Sequence, residues 1–252
     1  RVLVASIKPA SAPTTLKAVD AWTASAKTTA KVKLTWAAPK SLYGAKLSGF
    51  QVDRKVGSGA WFNVSSSISA AARSVVFSYP NEAGQKMYFR VRAVTKVGAI
   101  AKAGTNSATV SVTPTAMPKQ PVFAGYVAND IRHPQWLAQS VSERGGLPTT
   151  YTASAGTQNL TCTTVANNCN LAGMQVHVDY TITITATNAR GTSTTETALT
   201  PGDSYFNQQW YLYTKYGVNA PEAWANSEGS SSVVLAVLDT GITSHSDLNP
   251  NV

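Results

Sequence analysis

Met87-Tyr88-Phe89-Arg90-Val91-Arg92-Ala93 alternates apolar and polar residues one by one. In an extended chain Met, Phe, Val and Ala share one face, while Tyr and the two Arg share the other. That period of two marks a strand with one face on a core and the other in water. Upstream, Val32-Lys33-Leu34-Thr35-Trp36 alternates in the same way and is broken by Ala37-Ala38-Pro39. Phe50-Gln51-Val52-Asp53-Arg54 is a further alternating run, and the strand at Met87 ends in a turn at Gly98. Short alternating strands with turn residues between them predict a β-sandwich. A tryptophan early in such a unit, here Trp36, is expected to fill the space between the two sheets.

The plan recurs from about Pro118 to Pro201. Trp136-Leu137-Ala138 parallels Trp36-Ala37-Ala38, and Tyr151-Thr152-Ala153-Ser154 parallels Phe50 to Asp53. Tyr180-Thr181-Ile182-Thr183-Ile184-Thr185-Ala186-Thr187-Asn188, followed by Gly191, parallels Met87 to Gly98. On these residues both units resemble fibronectin type III domains, over most of residues 9–200. The resemblance implies two all-β sandwiches and leaves their ligand open. It also places Tyr180 at a core tyrosine of that family, where the first unit has Met87. The first unit is therefore expected to lack one phenolic hydrogen bond.

Composition agrees with a β-rich extracellular protein. Only 13% of the 252 residues are charged, below the usual quarter, and Thr, Ser and Ala are plentiful. The 21 Lys+Arg against 12 Asp+Glu give a net charge of +9. The cations Lys27, Lys31, Lys33, Lys40, Lys46, Arg54 and Lys55 are scattered, which favours a solvated basic surface over a nucleic-acid stripe. No apolar run approaches the length of a membrane-spanning helix. Residues 1–8 alternate like the last strand of a preceding domain or linker, much as Val110-Ser111-Val112-Thr113-Pro114 closes the next unit. Both chain ends are expected to be cut, making this a fragment. The expected boundaries are 1–8, 9–116 and 117–201 for the β units, then 202–252.

Cys162 and Cys169 are the two cysteines, separated by Thr-Thr-Val-Ala-Asn-Asn. The spacing does not suit a redox Cys-x-x-Cys, and no neighbouring ligands suggest zinc. A disulfide across neighbouring strands is expected, and with it an oxidising compartment. So short a loop adds about 2–3 kcal/mol at most.

After Pro201 the style changes. Asn219 reads as a helix N-cap, Pro221 fits the first turn, and Glu222 completes a capping box in Asn219-Ala220-Pro221-Glu222-Ala223-Trp224. Gly229 should end that helix. Six apolar residues, Val233 to Leu238, then suit a strand buried on both faces that delivers Asp239 to the turn at Thr240-Gly241. A strand after a helix with short joins is the grammar of an α/β domain, expected to begin near residue 202. A carboxylate at the end of such a strand is a candidate functional group.

The series Asn207-Gln208-Gln209-Trp210, Asn219 to Trp224, Val234 to Ile242 and His245-Ser246-Asp247-Leu248 resembles the start of a subtilisin-like serine protease domain of the S8 family. The overall fold class implied is two sandwiches followed by the truncated start of an α/β subtilisin-like domain. The resemblance makes Asp239 the acid of an Asp-His-Ser triad. The family's usual His-Pro-Asp-Leu stands here as His245-Ser246-Asp247-Leu248, and its histidine is not the catalytic one. The catalytic His and Ser are expected beyond this chain, so the fragment itself should be inactive. Gly191-Thr192-Ser193 mimics the family's nucleophile motif but lies in a sandwich and is a decoy. His133 and His177 show no partner in the sequence. Gln209 and Asp247 match positions that bind structural calcium in many family members, and Ca²⁺ takes six to eight oxygen ligands; no catalytic cofactor is implied.

The intact protein is thus expected to be a secreted endopeptidase acting on protein or peptide substrates. Two other readings remain open. An aspartic protease also carries Asp-Thr-Gly, although Ile242 then stands where Ser or Thr is usual. An extracellular adhesion protein would use its sandwiches to dock on polymers or cell surfaces, with exposed aromatics such as Tyr43 and Trp61 as candidates.

Overall fold

In the computed structural model the chain is described at residues 8–156, 159–175, 178–195, 198–201, 203, 205–213, 217–227, 229–230, 232–233, 241 and 244. Residues 1–7 of the expected leading strand lie outside them.

The first sandwich has two antiparallel sheets. One orders β1 (Thr14–Asp20), β2 (Ala30–Ala37) and β5 (Ser74–Tyr79) as β1-β2-β5. The other orders β4 (Phe62–Ser69), β3 (Lys46–Val56), β6 (Met87–Val97) and β7 (Ile100–Ala103) as β4-β3-β6-β7, with β8 (Val110–Val112) also on β6. Alternation along β2 and β6 sends Val32, Leu34 and Trp36 from one sheet and Met87, Phe89, Val91 and Ala93 from the other into one core. Trp36, 4% exposed, meets Phe50 edge to face with centroids 5.3 Å apart, as the plug expected between the sheets.

The second sandwich repeats this with a smaller first sheet. β9 (Phe123–Tyr126) pairs only with β10 (Pro134–Trp136) among the named strands. The larger sheet orders β12 (Leu160–Thr164), β11 (Thr150–Ala155), β13 (Tyr180–Asn188) and β14 (Gly191–Thr194), with β15 (Ala198–Thr200) also on β13. The register confirms the sequence parallels. Phe50 faces Ala93 across β3 and β6, and Tyr151 faces Ala186 across β11 and β13. Met87 and Tyr180 are both buried at the start of their strands. Tyr180 Oη accepts a hydrogen bond from the Gln175 backbone N–H at 3.0 Å, whereas Met87 Sδ receives the Arg54 guanidinium at 3.8 Å. The core tyrosine and its hydrogen bond therefore belong to the second unit alone.

Where the first sandwich has β5, the second has a loop. The Trp36 backbone N–H donates to the Arg73 carbonyl next to β5, and the Trp136 backbone N–H donates likewise to the Asn167 carbonyl, both at 3.0 Å. Gln135 bridges to Asn168, and Asn167 Nδ2 returns a bond to the Trp136 carbonyl at 3.0 Å. Leu171, fully buried, and Met174 enter the core from this loop.

A polar joint fixes the two sandwiches together. Arg190 Nη2 lies 2.8 Å from Asp20 Oδ2, its Nε donates to Thr115 Oγ1 at 2.9 Å, and its guanidinium covers the Trp22 ring. Asn188 Nδ2 donates to the Ala116 and Arg144 carbonyls. The approach is close enough that Gly84 and Gly146 must be glycine: a Cβ on Gly146, at φ +73, would sit 2.4 Å from the Gly84 Cα.

Candidate functional site

The segment leading toward Asp239 begins as short helical turns on the second sandwich. Residues Phe206–Gln208 form one 3₁₀ turn; α1 (Trp210–Tyr213) and α2 (Ala220–Trp224) follow. Phe206 and Tyr213 are each 2% exposed and belong to the same core cluster as Trp136 and Tyr151. Tyr126 of β9 contacts Tyr213 at 5.5 Å and Phe206 at 6.3 Å, both edge to face, and Trp224 stands 6.1 Å from Phe206. Gly125 makes room for this, since a Cβ there would meet the Tyr213 ring at 2.7 Å. Burial pushes the Tyr126 phenol well above its usual range; its hydroxyl shares a hydrogen bond with Thr200. The apolar core therefore runs across the boundary expected near residue 202.

The helix expected after Asn219 forms, but the capping box does not. Asn219 adopts a left-handed backbone, φ 54 and ψ 43, and makes no side-chain cap. Its Nδ2 instead donates to Glu222 Oε2 at 2.6 Å, so the two side chains satisfy each other rather than the first-turn N–H groups.

Asp239, with most of its strand, lies outside the described residues, as do His177, His245 and Asp247. Two neighbours of Asp239 are described. Val233 is 72% exposed, and its N–H donates to the Ser230 carbonyl at 3.0 Å. Gly241 has φ +145, which side chains other than hydrogen rarely adopt. Gln209 is half-buried between the 3₁₀ turn and α1; its N–H donates to Phe206 and its carbonyl accepts from Leu212. Gln209 alone offers one neutral oxygen. Among the described residues no group of three or more His, Cys, Asp or Glu converges on a metal position.

The other sequence candidates have defined places. Cys162 and Cys169 form a disulfide with Cα atoms 6.1 Å apart. It does not join neighbouring strands as expected. Cys162 is on β12, at the edge of the larger sheet, whereas Cys169 follows the bridge to β10, so the bond staples the two sheets at one edge. Ser193 donates its hydroxyl to the Pro118 carbonyl at 2.6 Å. It lines a cleft of about 390 Å³ between the sandwiches with Lys27, Thr28, Met117, Gln120, Thr192 and Thr194. None of those lining residues is a histidine. His133 does have a partner that the sequence reading missed: Nδ1 lies 3.1 Å from Asp130 Oδ2. The signal was the i, i+3 spacing. Hydrogen bonds from Arg132 hold the Asp130 carboxyl down to about 2.

A second missed feature is a matched pair of buried hydroxyls. The Val91 N–H donates to Ser107 Oγ at 3.0 Å and the Ile184 N–H to Thr195 Oγ1 at 3.2 Å. The Ser107 and Thr195 N–H groups return bonds to the Val91 and Ile184 carbonyls, both at 2.8 Å.

No family model matches the chain. It is similar to the protease 2 small chain of Achromobacter lyticus, 47% identical over 53 residues, or 21% of this chain and 84% of that one. It is 51% identical over 55 residues to an extracellular protease of Xanthomonas campestris pv. campestris, 21% of this chain and 9% of that one. An extracellular basic protease of Dichelobacter nodosus is 42% identical over 52 residues, with coverage of 21% and 9%. The chain thus spans about a tenth of the length of the two larger relatives. Among solved structures it is similar to the chicken CNTN1 FN1–FN3 domains, TM-score 0.46 and 16% identity, covering 76% of this chain and 66% of that one. A two-domain fibronectin type III segment of chicken tenascin has TM-score 0.37 and 14% identity, with coverage of 75% and 98%.

Proposed function

We propose a function on this premise: the chain belongs to the family that includes the Achromobacter lyticus protease 2 small chain. The intact protein is a secreted serine endopeptidase of the subtilisin-like type, and residues from about 202 onward open its α/β catalytic domain. The observation that carries the reading is the ordered series Asn207 to Trp210, Asn219 to Trp224, Val234 to Ile242 and His245 to Leu248, together with relatives named as proteases. Secretion is supported by two relatives named extracellular and by the Cys162–Cys169 disulfide.

In this reading Asp239 accepts a hydrogen bond from one imidazole nitrogen of a downstream histidine. It fixes the tautomer and stabilises the imidazolium formed when the other nitrogen takes the serine proton. The serine oxygen attacks the peptide carbonyl, the C–N bond breaks as the imidazolium gives its proton to the leaving amine, and water then hydrolyses the acyl-enzyme to free the carboxylate product and the serine hydroxyl. Gln209 and Asp247 are proposed to contribute to a structural calcium site completed by further oxygen donors; calcium there would supply stability, not a chemical step.

The test is Asp239→Asn in the intact protein. It should lower kcat about 10⁴-fold while leaving expression and folding unchanged. A serine-directed phosphonate should label the wild type at a single serine. Inhibition by an acid-dyad inhibitor without phosphonate labelling would overturn the serine assignment.

A further inference from the structure

The charge of this protein is divided unevenly. Residues 9–116 carry 14 Lys+Arg against 3 Asp+Glu, whereas residues 117–252 carry 5 against 9. All three acids of the first sandwich are already engaged by arginine. Asp20 is held by Arg190, Asp53 by Arg90 and Arg92, and Glu82 by Arg54 at 2.7 Å. The remaining cations have no acid of their own sandwich left to neutralise them.

Six of these fourteen cations, Lys46, Lys55, Lys86, Arg90, Arg92 and Lys96, lie on or beside the outer face of the larger sheet. Tyr88, Arg90, Arg92 and Lys96 alternate outward along β6, with Lys86 just before them, while Phe89, Val91 and Ala93 point into the core. Across the sheet Lys55 faces Tyr88, Gln51 faces Arg92, and Lys46 faces Lys96. The acid on this face, Asp53, is 5% exposed and lies beneath Arg90 and Arg92. Two rings hold the cations in place. Arg90 lies 4.3 Å and Lys55 5.5 Å from the Trp61 centroid; Lys55 and Lys86 lie 5.0 and 5.5 Å from that of Tyr88. Each ring already carries two cations, so the face does not read as an open stacking platform for sugars or bases. The rings instead fix long side chains that would otherwise lose rotamer freedom on binding.

From this arrangement we infer that the outer face of β3 and β6 is a docking surface for an acidic polypeptide in extended conformation. The inference rests on the protease reading for the nature of the partner, a protein substrate, and adds its chemical class. Successive outward residues on a strand stand about 6.8 Å apart, and so do alternate carboxylates on an extended peptide laid along it. From Lys86 to Lys96 the row spans about 34 Å, enough for about ten residues of such a peptide. The field of the first sandwich steers acidic chains to this face before short-range contacts form.

The test uses the whole 252-residue chain and a fluorescein-labelled decapeptide of alternating Glu and Ser, followed by anisotropy. Binding should be measurable in low salt and weaken steeply toward 0.15 M, where the Debye length falls to about 8 Å. The double variant Lys55→Gln/Lys86→Gln removes one half-buried and one exposed cation and spares Arg90 and Arg92, which hold Asp53. It should weaken binding roughly three- to tenfold with an unchanged thermal midpoint. A Lys-Ser decapeptide should not bind. Failure of the Glu-Ser peptide to bind, or equal affinity in the double variant, overturns the inference. Tighter binding of heparin or single-stranded DNA at matched charge overturns the assignment to a peptide. None of these readouts involves catalysis, so absent phosphonate labelling of the intact protein would count against the protease reading alone.

Discussion

The two sandwiches solve the same packing problem with different means. The first closes its smaller sheet with three strands, β1, β2 and β5, and fills the core from its own residues. The second keeps two short strands and replaces the third with the loop through Asn167 and Asn168, stapled by Cys162–Cys169. It then takes Phe206 and Tyr213 from beyond its last strand to finish the core. A sheet can be shortened if something else closes the core, and here a covalent bond and borrowed aromatic rings join it.

The largest expected break in the comparison is Phe206→Ala. Removing a large side chain that is 2% exposed should cost the second sandwich about 3–5 kcal/mol and leave the first unchanged. Urea titration of the whole chain, with near-ultraviolet dichroism reporting on the aromatic cluster, should show that loss in one transition only. Loss of both transitions would mean that the sandwiches fold as one unit. Next in size is Cys162→Ser/Cys169→Ser, expected to cost the second sandwich about 2–3 kcal/mol by the same titration. The smallest effect should fall on both sandwiches alike. Ser107→Ala and Thr195→Val each leave a buried strand N–H without its side-chain acceptor, and each should cost its own sandwich about 1–2 kcal/mol. Unequal losses would show that the matched hydroxyls are not equivalent in energy.

Local alternation made most of the β architecture legible. Trp36 and Trp136, Phe50 and Tyr151, and Ala93 and Ala186 could be paired from sequence because period-two patterning is set by neighbours along one strand. The counterpart of β5 could not, because Asn167-Asn168 does not alternate and is held by tertiary bonds to Trp136. The destination of Phe206 and Tyr213 was hidden for the same reason: a change of composition after Pro201 signals a new segment but not which core its rings will enter. Asn219 showed the limit of a motif, since its side chain can bond Glu222 as readily as the backbone. Of the candidate site, Gln209 has a defined place and the disulfide is formed, while Asp239 and Asp247 lie outside the described residues.

The joint made by Arg190, Asp20 and Thr115 has a consequence for kinetics. A flexible linker would let the first sandwich wander, so anything held on its basic face would sample a large volume. A fixed joint makes the local concentration of such a guest near the segment after Pro201 a constant of the molecule, set by geometry. Weakening Arg190 would then dilute the guest without altering a single contact that binds it.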